Sequence, residues 1–297
     1  MRQLMILTFC VLMSWSGIFA EIGDTIPILK PERIHPKLEQ IIASIIKQNH
    51  YQNRPIDDSL SSIMFDEYIK VLDYNKSYFT KEQAEQFEKY RYLLDDCIIG
   101  GDIGPAFEIF QTFIADFIYR TNDIIALIDT VEFDFTTNDT FRPDRTELPW
   151  LETEEQLDSL WNIRLKNEAL NLKLAGKDKD GIRETLKKRY TNIRKRMTQY
   201  ENEEVFELYM NSFAAVFDPH TSYFSPKSTE DFKIKMSLSF EGIGATLQMD
   251  NDYTKVVDIV PGGPAELSKK LHRDDRIIGV GQGKDGELVD VVGWRLD

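Results

Sequence analysis

Residues 237–297 read SLSFEGIGATLQMDNDYTKVVDIVPGGPAELSKKLHRDDRIIGVGQGKDGELVDVVGWRLD, and the spacing within them decides the fold of the C-terminal part of the chain. Leu238 and Phe240, then Ala245, Leu247 and Met249, alternate with polar residues, the period of half-buried paired strands. Gly242 and Gly244 hinge that alternation, where a residue without Cβ takes positive φ or lets another backbone approach closely. Val256, Val257, Ile259 and Val260 form a β-branched run that Pro261-Gly262-Gly263-Pro264 ends as a turn. A short helix is expected from 265 to about 271. A turn at Asp274-Asp275 then enters a buried strand through Val280, and 281–286 reads as a loop.

In that order, GIGA (242–245), VPGGPA (260–265) and DDRIIGVG (274–281) resemble a PDZ module. The resemblance implies that Gly242, Ile243, Gly244 and Ala245 form a loop whose backbone N–H groups receive the terminal carboxylate of another protein chain. In PDZ modules the ligand adds as a strand beside the sheet, and its last side chain packs under a helix. Here that helix is expected to begin at Val291-Val292-Gly293-Trp294-Arg295-Leu296 and stops after its first turn. The expected consequence is half a groove, an exposed strand edge and an uncovered apolar face, with residues 237–297 loosely folded or aggregation-prone in isolation.

The whole chain has 297 residues, 42% of them hydrophobic and 29% charged, enough to bury one or two sizeable cores. Its formal net charge of −14 argues against general nucleic-acid or anionic-membrane binding. Lys187-Lys188-Arg189 and Arg194-Lys195-Arg196 are the local exception, read as the solvated face of a long helix rather than a phosphate patch.

Residues 1–20 have Arg2, an apolar run from Leu4 to Trp15, and Gly17-Ile18-Phe19-Ala20 ahead of Glu21, which together fit a cleaved secretory signal. Bulky Phe9 before Cys10 argues against a lipid anchor. Once Cys10 leaves, Cys97 stands alone, so no internal disulfide is expected and the thiol reads as buried and inert. No other segment is apolar enough to span a bilayer, and the expected location is a bacterial periplasm. Because the leader is retained, the expected truncation lies at the C-terminus alone.

Residues 21–228 read as a helical domain. Leu38, Ile41, Ile42, Ile45 and Ile46 keep helical spacing, and Pro55 separates them from Leu60, Ile63, Met64, Tyr68, Ile69 and Leu72. A third helix starts after Thr80, capped with the help of Gln83, and ends near Gly100-Gly101. Phe107, Phe110, Ile114, Phe117 and Ile118 form a core stripe rather than a cofactor box. The Asp/Thr-rich stretch 130–149, with Pro143 and Pro149, is a loop. Helices resume through Leu157, Leu160, Trp161, Leu165 and Leu170, and again through Ile182, Leu186 and Ile193. The fold class is therefore α+β: a signal at 1–20, a mostly helical domain at 21–228 and an incomplete PDZ-like β-rich domain at 229–297.

The segments FDEYIKVLDYNKSYFTKEQAEQFE (65–88), LPWLETEEQLDSLWNIRLKNEALNLKLAGK (148–177) and FDPHTSYFSPKSTEDFKIKMSLSFEGIGATLQMDNDYT (217–254) resemble the bacterial tail-specific, or carboxy-terminal processing, proteases. That resemblance implies a periplasmic serine peptidase acting on proteins with apolar, poorly structured C-termini. It also implies that the nucleophilic serine and its lysine base lie after the PDZ module, beyond Asp297. No catalytic residue is therefore assigned, because a serine hydroxyl without a positioned base and oxyanion donors is a poor nucleophile.

Asp218, His220 and Ser222 hold the three triad residue types within five positions, but they read as a turn in which Asp218 caps the following N–H groups. His35, His50 and His272 are scattered, no HExxH or CxxC spacing exists, and no metal or cofactor is expected. Three functions are compatible with these residues. The first is the N-terminal and PDZ portion of a tail-specific protease, inactive alone. The second is a non-catalytic periplasmic peptide-binding or adaptor protein. The third is nucleic-acid binding through 187–196, which demands steep salt dependence.

Overall fold

The computed structural model describes residues 26–237, 242–250, 253–281, 283 and 286–296; the leader expected at 1–20 and the strand expected at Leu238 and Phe240 lie outside them. The helical part begins with α1 (His35–Asn49) and α2 (Asp58–Leu72), the latter capped by the Asp57 carboxylate, which accepts from the Ser59 and Leu60 N–H groups. α2 buries Leu60, Met64, Phe65, Tyr68 and Leu72, as its spacing predicts, while Ile63 faces outward. On α1 the buried residues are His35, Glu39, Ala43 and Ile46, so Ile41 and Ile45, expected in the core, point to solvent.

α3 (Lys81–Phe87) starts with the anticipated capping box between Thr80 and Gln83. The single helix expected to continue to Gly100-Gly101 is instead broken, with α4 (Leu94–Gly100) following a 3₁₀ turn at Glu88–Tyr90. The physical reason is tertiary. Buried Ser61 of α2 donates its hydroxyl to the Arg91 carbonyl at 2.8 Å and accepts the Leu94 N–H at 2.8 Å, satisfying both backbone groups that the break exposes. Gly101, at φ 76°, closes α4 in the left-handed conformation, and its Cα lies so close to the Pro36 carbonyl that a Cβ would stand 2.9 Å from it.

α5 (Gly104–Thr130) is the spine: its stripe of Phe107, Phe110, Phe113, Ile114, Phe117 and Ile118 is buried in the main core against α2 and α8 (Asn202–Ala215). Its far end packs with α6 (Glu154–Leu174) and α7 (Lys179–Thr198) in a second cluster built on Ile124, Ile128, Trp161, Leu165, Ile182, Leu186 and Tyr190. Tyr78 touches both clusters, its ring 5.1 Å from Phe117 and 5.4 Å from Trp161, whose indole N–H donates to the Ser77 carbonyl at 2.7 Å. Residues 131–149 form a long irregular connection, as expected. Helix α9 (Pro226–Ser237) runs through residues 228 and 229.

The C-terminal part is β-rich. β1 (Ala245–Asp250) pairs antiparallel with β2 (Tyr253–Ile259), with a bulge between Thr246 and Leu247, and β3 (Arg276–Ile277) extends the sheet in the order β1-β2-β3. The helix expected at 265–271 is the shorter α10 (Pro264–Ser268), because Lys269 takes φ 55° and ends it. The buried strand expected through Val280 is a second correction. It divides into β3 and β4 (Gly279–Val280), the latter paired with β5 (Val289–Asp290), and Ile278 and Val280 are exposed. A third concerns 291–296, expected as a first helical turn. These residues make a turn with Gly293 at φ 84° and dock on the helical domain instead. Arg295 forks onto the Glu204 carboxylate at 2.8 and 3.0 Å and donates to the Gln199 carbonyl, while the Gln199 amide donates to the Gly293 carbonyl. The architecture is α+β, a helical domain followed by small antiparallel sheets.

Candidate peptide-terminus site

The predicted loop Gly242, Ile243, Gly244 and Ala245 leads directly into β1. Gly244 sits at φ 73°, and a Cβ there would stand 3.0 Å from Pro264 Cδ and 3.1 Å from Gly263 Cα, so the glycine is required both by conformation and by contact. The Ile243 carbonyl accepts from the Ala265 N–H at 2.8 Å and the Gly244 carbonyl from the Val260 N–H at 2.9 Å. With both carbonyls committed to the residues that flank the Pro-Gly-Gly-Pro turn, the loop's N–H groups are what it has to offer a ligand. Ile243 is 51% exposed beside it. In the order β1-β2-β3, β1 is an edge strand, so among the described residues its outer edge has no partner strand.

The Asp218, His220 and Ser222 grouping forms no catalytic arrangement. Asp218 Oδ1 accepts from the His220 and Thr221 N–H groups at 2.6 and 2.9 Å, and Oδ2 accepts from Thr221 Oγ1 at 2.8 Å. The anticipated turn is present. His220 and Ser222 are exposed, and among the described residues neither side chain bonds Asp218. The partner that sequence reasoning missed is His50, whose Nε2 lies 2.5 Å from Asp218 Oδ2. His50 Nδ1 lies 3.1 Å from the Gln52 nitrogen and 3.3 Å from the Gln52 carbonyl oxygen, which orients the ring with Nε2 facing the carboxylate. The Thr221 hydroxyl, the His220 N–H and His50 together hold the Asp218 carboxyl down at about 2. No spacing rule links His50 to a turn so distant in sequence.

The other expectations fall in separate places. His35 is buried against Phe206, with Nδ1 accepting from the Glu32 N–H and Nε2 facing Glu203 at 3.0 Å; His272 is exposed on the β-rich part. Cys97 is half-buried, and burial, then Asp102 and Glu39, push its thiol up to about 11, so it is a poor nucleophile. The basic residues of α7 meet acids or amides: Lys187 pairs with Asp129 at 2.7 Å, Arg189 with Glu168 at 2.7 Å, and Arg194 donates to Asn122 at 2.6 Å. Among the described residues no cluster of His, Cys, Asp or Glu is suited to a metal ion, and no helix is long and apolar enough to cross a membrane.

A helical domain joined to a glycine-loop β module with an open strand edge defines a chain that carries a PDZ domain on a helical scaffold. The family comparison narrows the class: the tail specific protease N-terminal domain matches residues 42–227 and the PDZ domain matches residues 231–297. The chain belongs to the tail-specific protease family. A tail-specific protease of Haemophilus influenzae is 40% identical over 253 residues, covering 85% of this chain. The aligned region is 36% of that relative's length, so the chain spans little more than a third of it. Among solved structures, the PDZ domain of a carboxy-terminal protease from Vibrio cholerae, determined in complex with a peptide, is 64% identical. That likeness covers 18% of this chain and 55% of the other, with a TM-score of 0.18.

Proposed function

We propose that this chain is the tail-recognising portion of a periplasmic serine protease, binding apolar C-termini of protein substrates, and that residues 1–297 bind without cutting. The observation that carries this reading is the position of the loop Gly242–Ala245 at the start of edge strand β1. A ligand strand added antiparallel to β1 ends beside that loop, so its terminal carboxylate meets the loop's N–H groups while its backbone pairs along the strand. Exposed Ile243 suits an apolar last side chain.

The absence of cutting rests on the Asp218 carboxylate, committed to His50 and to its own turn while His220 and Ser222 stand apart. Export rests on the positive start, apolar run and small residues of positions 1–20.

The test is fluorescence anisotropy of the purified chain with a labelled peptide ending in small apolar residues, compared with its C-terminally amidated twin. Binding of the free acid only, with the peptide intact afterwards, is expected. Equal binding of the two peptides overturns the carboxylate reading, and peptide hydrolysis in a host-protease-free preparation overturns the other half. Export is checked by N-terminal sequencing of the cell-fractionated product, expected to begin near Glu21.

A further inference from the structure

The long connection between α5 and α6 builds a pocket that the tail-binding reading does not use. It is about 310 Å³ in volume and lies between the α2–α3 loop, residues 141–145 and α6, with Asn75, Phe141, Arg142, Arg145, Trp161 and Arg164 on its walls. Loops of this length without secondary structure are uncommon inside compact domains unless they serve a function.

Those walls carry three guanidiniums against one carboxylate, that of Glu168. Arg164 stacks its guanidinium over Trp161 at 4.7 Å and reaches Glu168 at 3.4 Å, but Glu168 is shared with Arg189 at 2.7 Å and with the Tyr190 hydroxyl at 3.1 Å. Among the described residues neither Arg142 nor Arg145 has a carboxylate within ion-pair distance. Arg142 donates from Nε to the Asp144 carbonyl at 3.1 Å, and the Asp144 carboxylate accepts from the Thr146 N–H and hydroxyl. Arg145 Nε is buried with no hydrogen-bond partner among the described residues. The nearby Asp73 carboxylate is occupied by the Ser77, Tyr78 and Phe79 N–H groups.

In a chain of net charge −14, three guanidiniums converging on one concavity with a buried donor unspent point to a missing anion. We infer that the pocket of Arg142, Arg145 and Arg164 binds an oxyanion group, a phosphate or a carboxylate, held by forked guanidinium hydrogen bonds. The planar guanidinium matches both groups, and the polar amide of Asn75 on the same wall supplies a further donor. This site is separate from loop 242–245 and stands whether or not that loop binds tails.

Isothermal calorimetry of the purified chain at constant ionic strength, titrated with sodium phosphate and in parallel with sodium succinate, tests the pocket. One saturable binding event with at least one probe is expected. Arg142→Gln and Arg145→Gln should each weaken it about tenfold or more, the effect of losing a charge-assisted hydrogen bond. Arg142 is exposed, so its variant reports on binding even if Arg145→Gln perturbs the loop. Saturation by phosphate alone identifies a phosphate source, and saturation by succinate alone a carboxylate source; either supports the site. No saturable binding of either probe, or affinity unchanged in Arg142→Gln, overturns it. Lys187→Gln, a change at a cation already paired with Asp129, should leave the affinity unaltered, and an equal loss there would reduce the effect to general electrostatics and also overturn the site.

Discussion

His50 Nε2 lies 2.5 Å from Asp218 Oδ2, fastening the residue that ends α1 to a turn 168 residues further along the chain. Asp218 thus holds the exit of the helical domain toward the β-rich part, because the same carboxylate organises the turn ahead of α9.

Acid sensitivity follows from this carboxylate. Its folded pKa, about 2, is below the ordinary 3.8, so the stability it contributes is fully present above about pH 4 and is lost as pH falls through 2. Asp218→Asn should lower the thermal midpoint at neutral pH and flatten its dependence on pH between 4 and 2. Circular dichroism melts across that range check both effects.

Glu39 predicts the opposite trend. It is fully buried on α1 with both carboxylate oxygens lacking partners among the described residues, and burial, then Asp102, raise its pKa from 4.5 to about 8. Above pH 4.5 the unfolded chain releases this proton while the folded chain keeps it, so stability declines as pH rises from 4.5 to 8. Glu39→Gln should stabilise the protein at neutral pH on the order of 3 kcal/mol, and by little below pH 4.5. Urea titrations at the two pH values measure the difference.

Ser61→Ala should destabilise by about 2 kcal/mol, since it strands the Arg91 carbonyl and the Leu94 N–H at the break between α3 and α4. A shift in urea midpoint with unchanged slope is the expected signature.

Gly244→Val should weaken peptide binding at least about tenfold, because a side chain at φ 73° is strained and would collide with Gly263 and Pro264. Gly262→Ala, also at positive φ but with nothing within 4 Å of its Cβ, separates backbone strain from lost contact and should retain more binding. Anisotropy with the free-acid peptide distinguishes the two variants.

Most of the helical fold was legible in the sequence, because α5 and α6 are long enough for the 3.6-residue period to repeat and Thr80 with Gln83 spells out a helix start. The break after Phe87 was not, since it depends on a hydroxyl from α2. Ile41 and Ile45 keep helical spacing yet face solvent, for periodicity finds a stripe without saying which neighbours cover it. In the β-rich part, β3, β4 and β5 have two residues each, too few to show alternation, and the helical turn expected at 291–296 rested on the resemblance to PDZ modules rather than on a periodic pattern. The glycine loop was legible from residue type; the reason for Gly244, contact with Gly263 and Pro264, required coordinates. His50 and the arginine pocket join residues that only the folded chain brings together.

Tyr78 lends one ring to two packing clusters, resting on Phe117 on one side and Trp161 on the other. Neither cluster can loosen without stripping that ring of neighbours the other needs, which couples the α6–α7 hairpin to the rest of the helices. The helical part should therefore melt in one cooperative step rather than shedding its far end first.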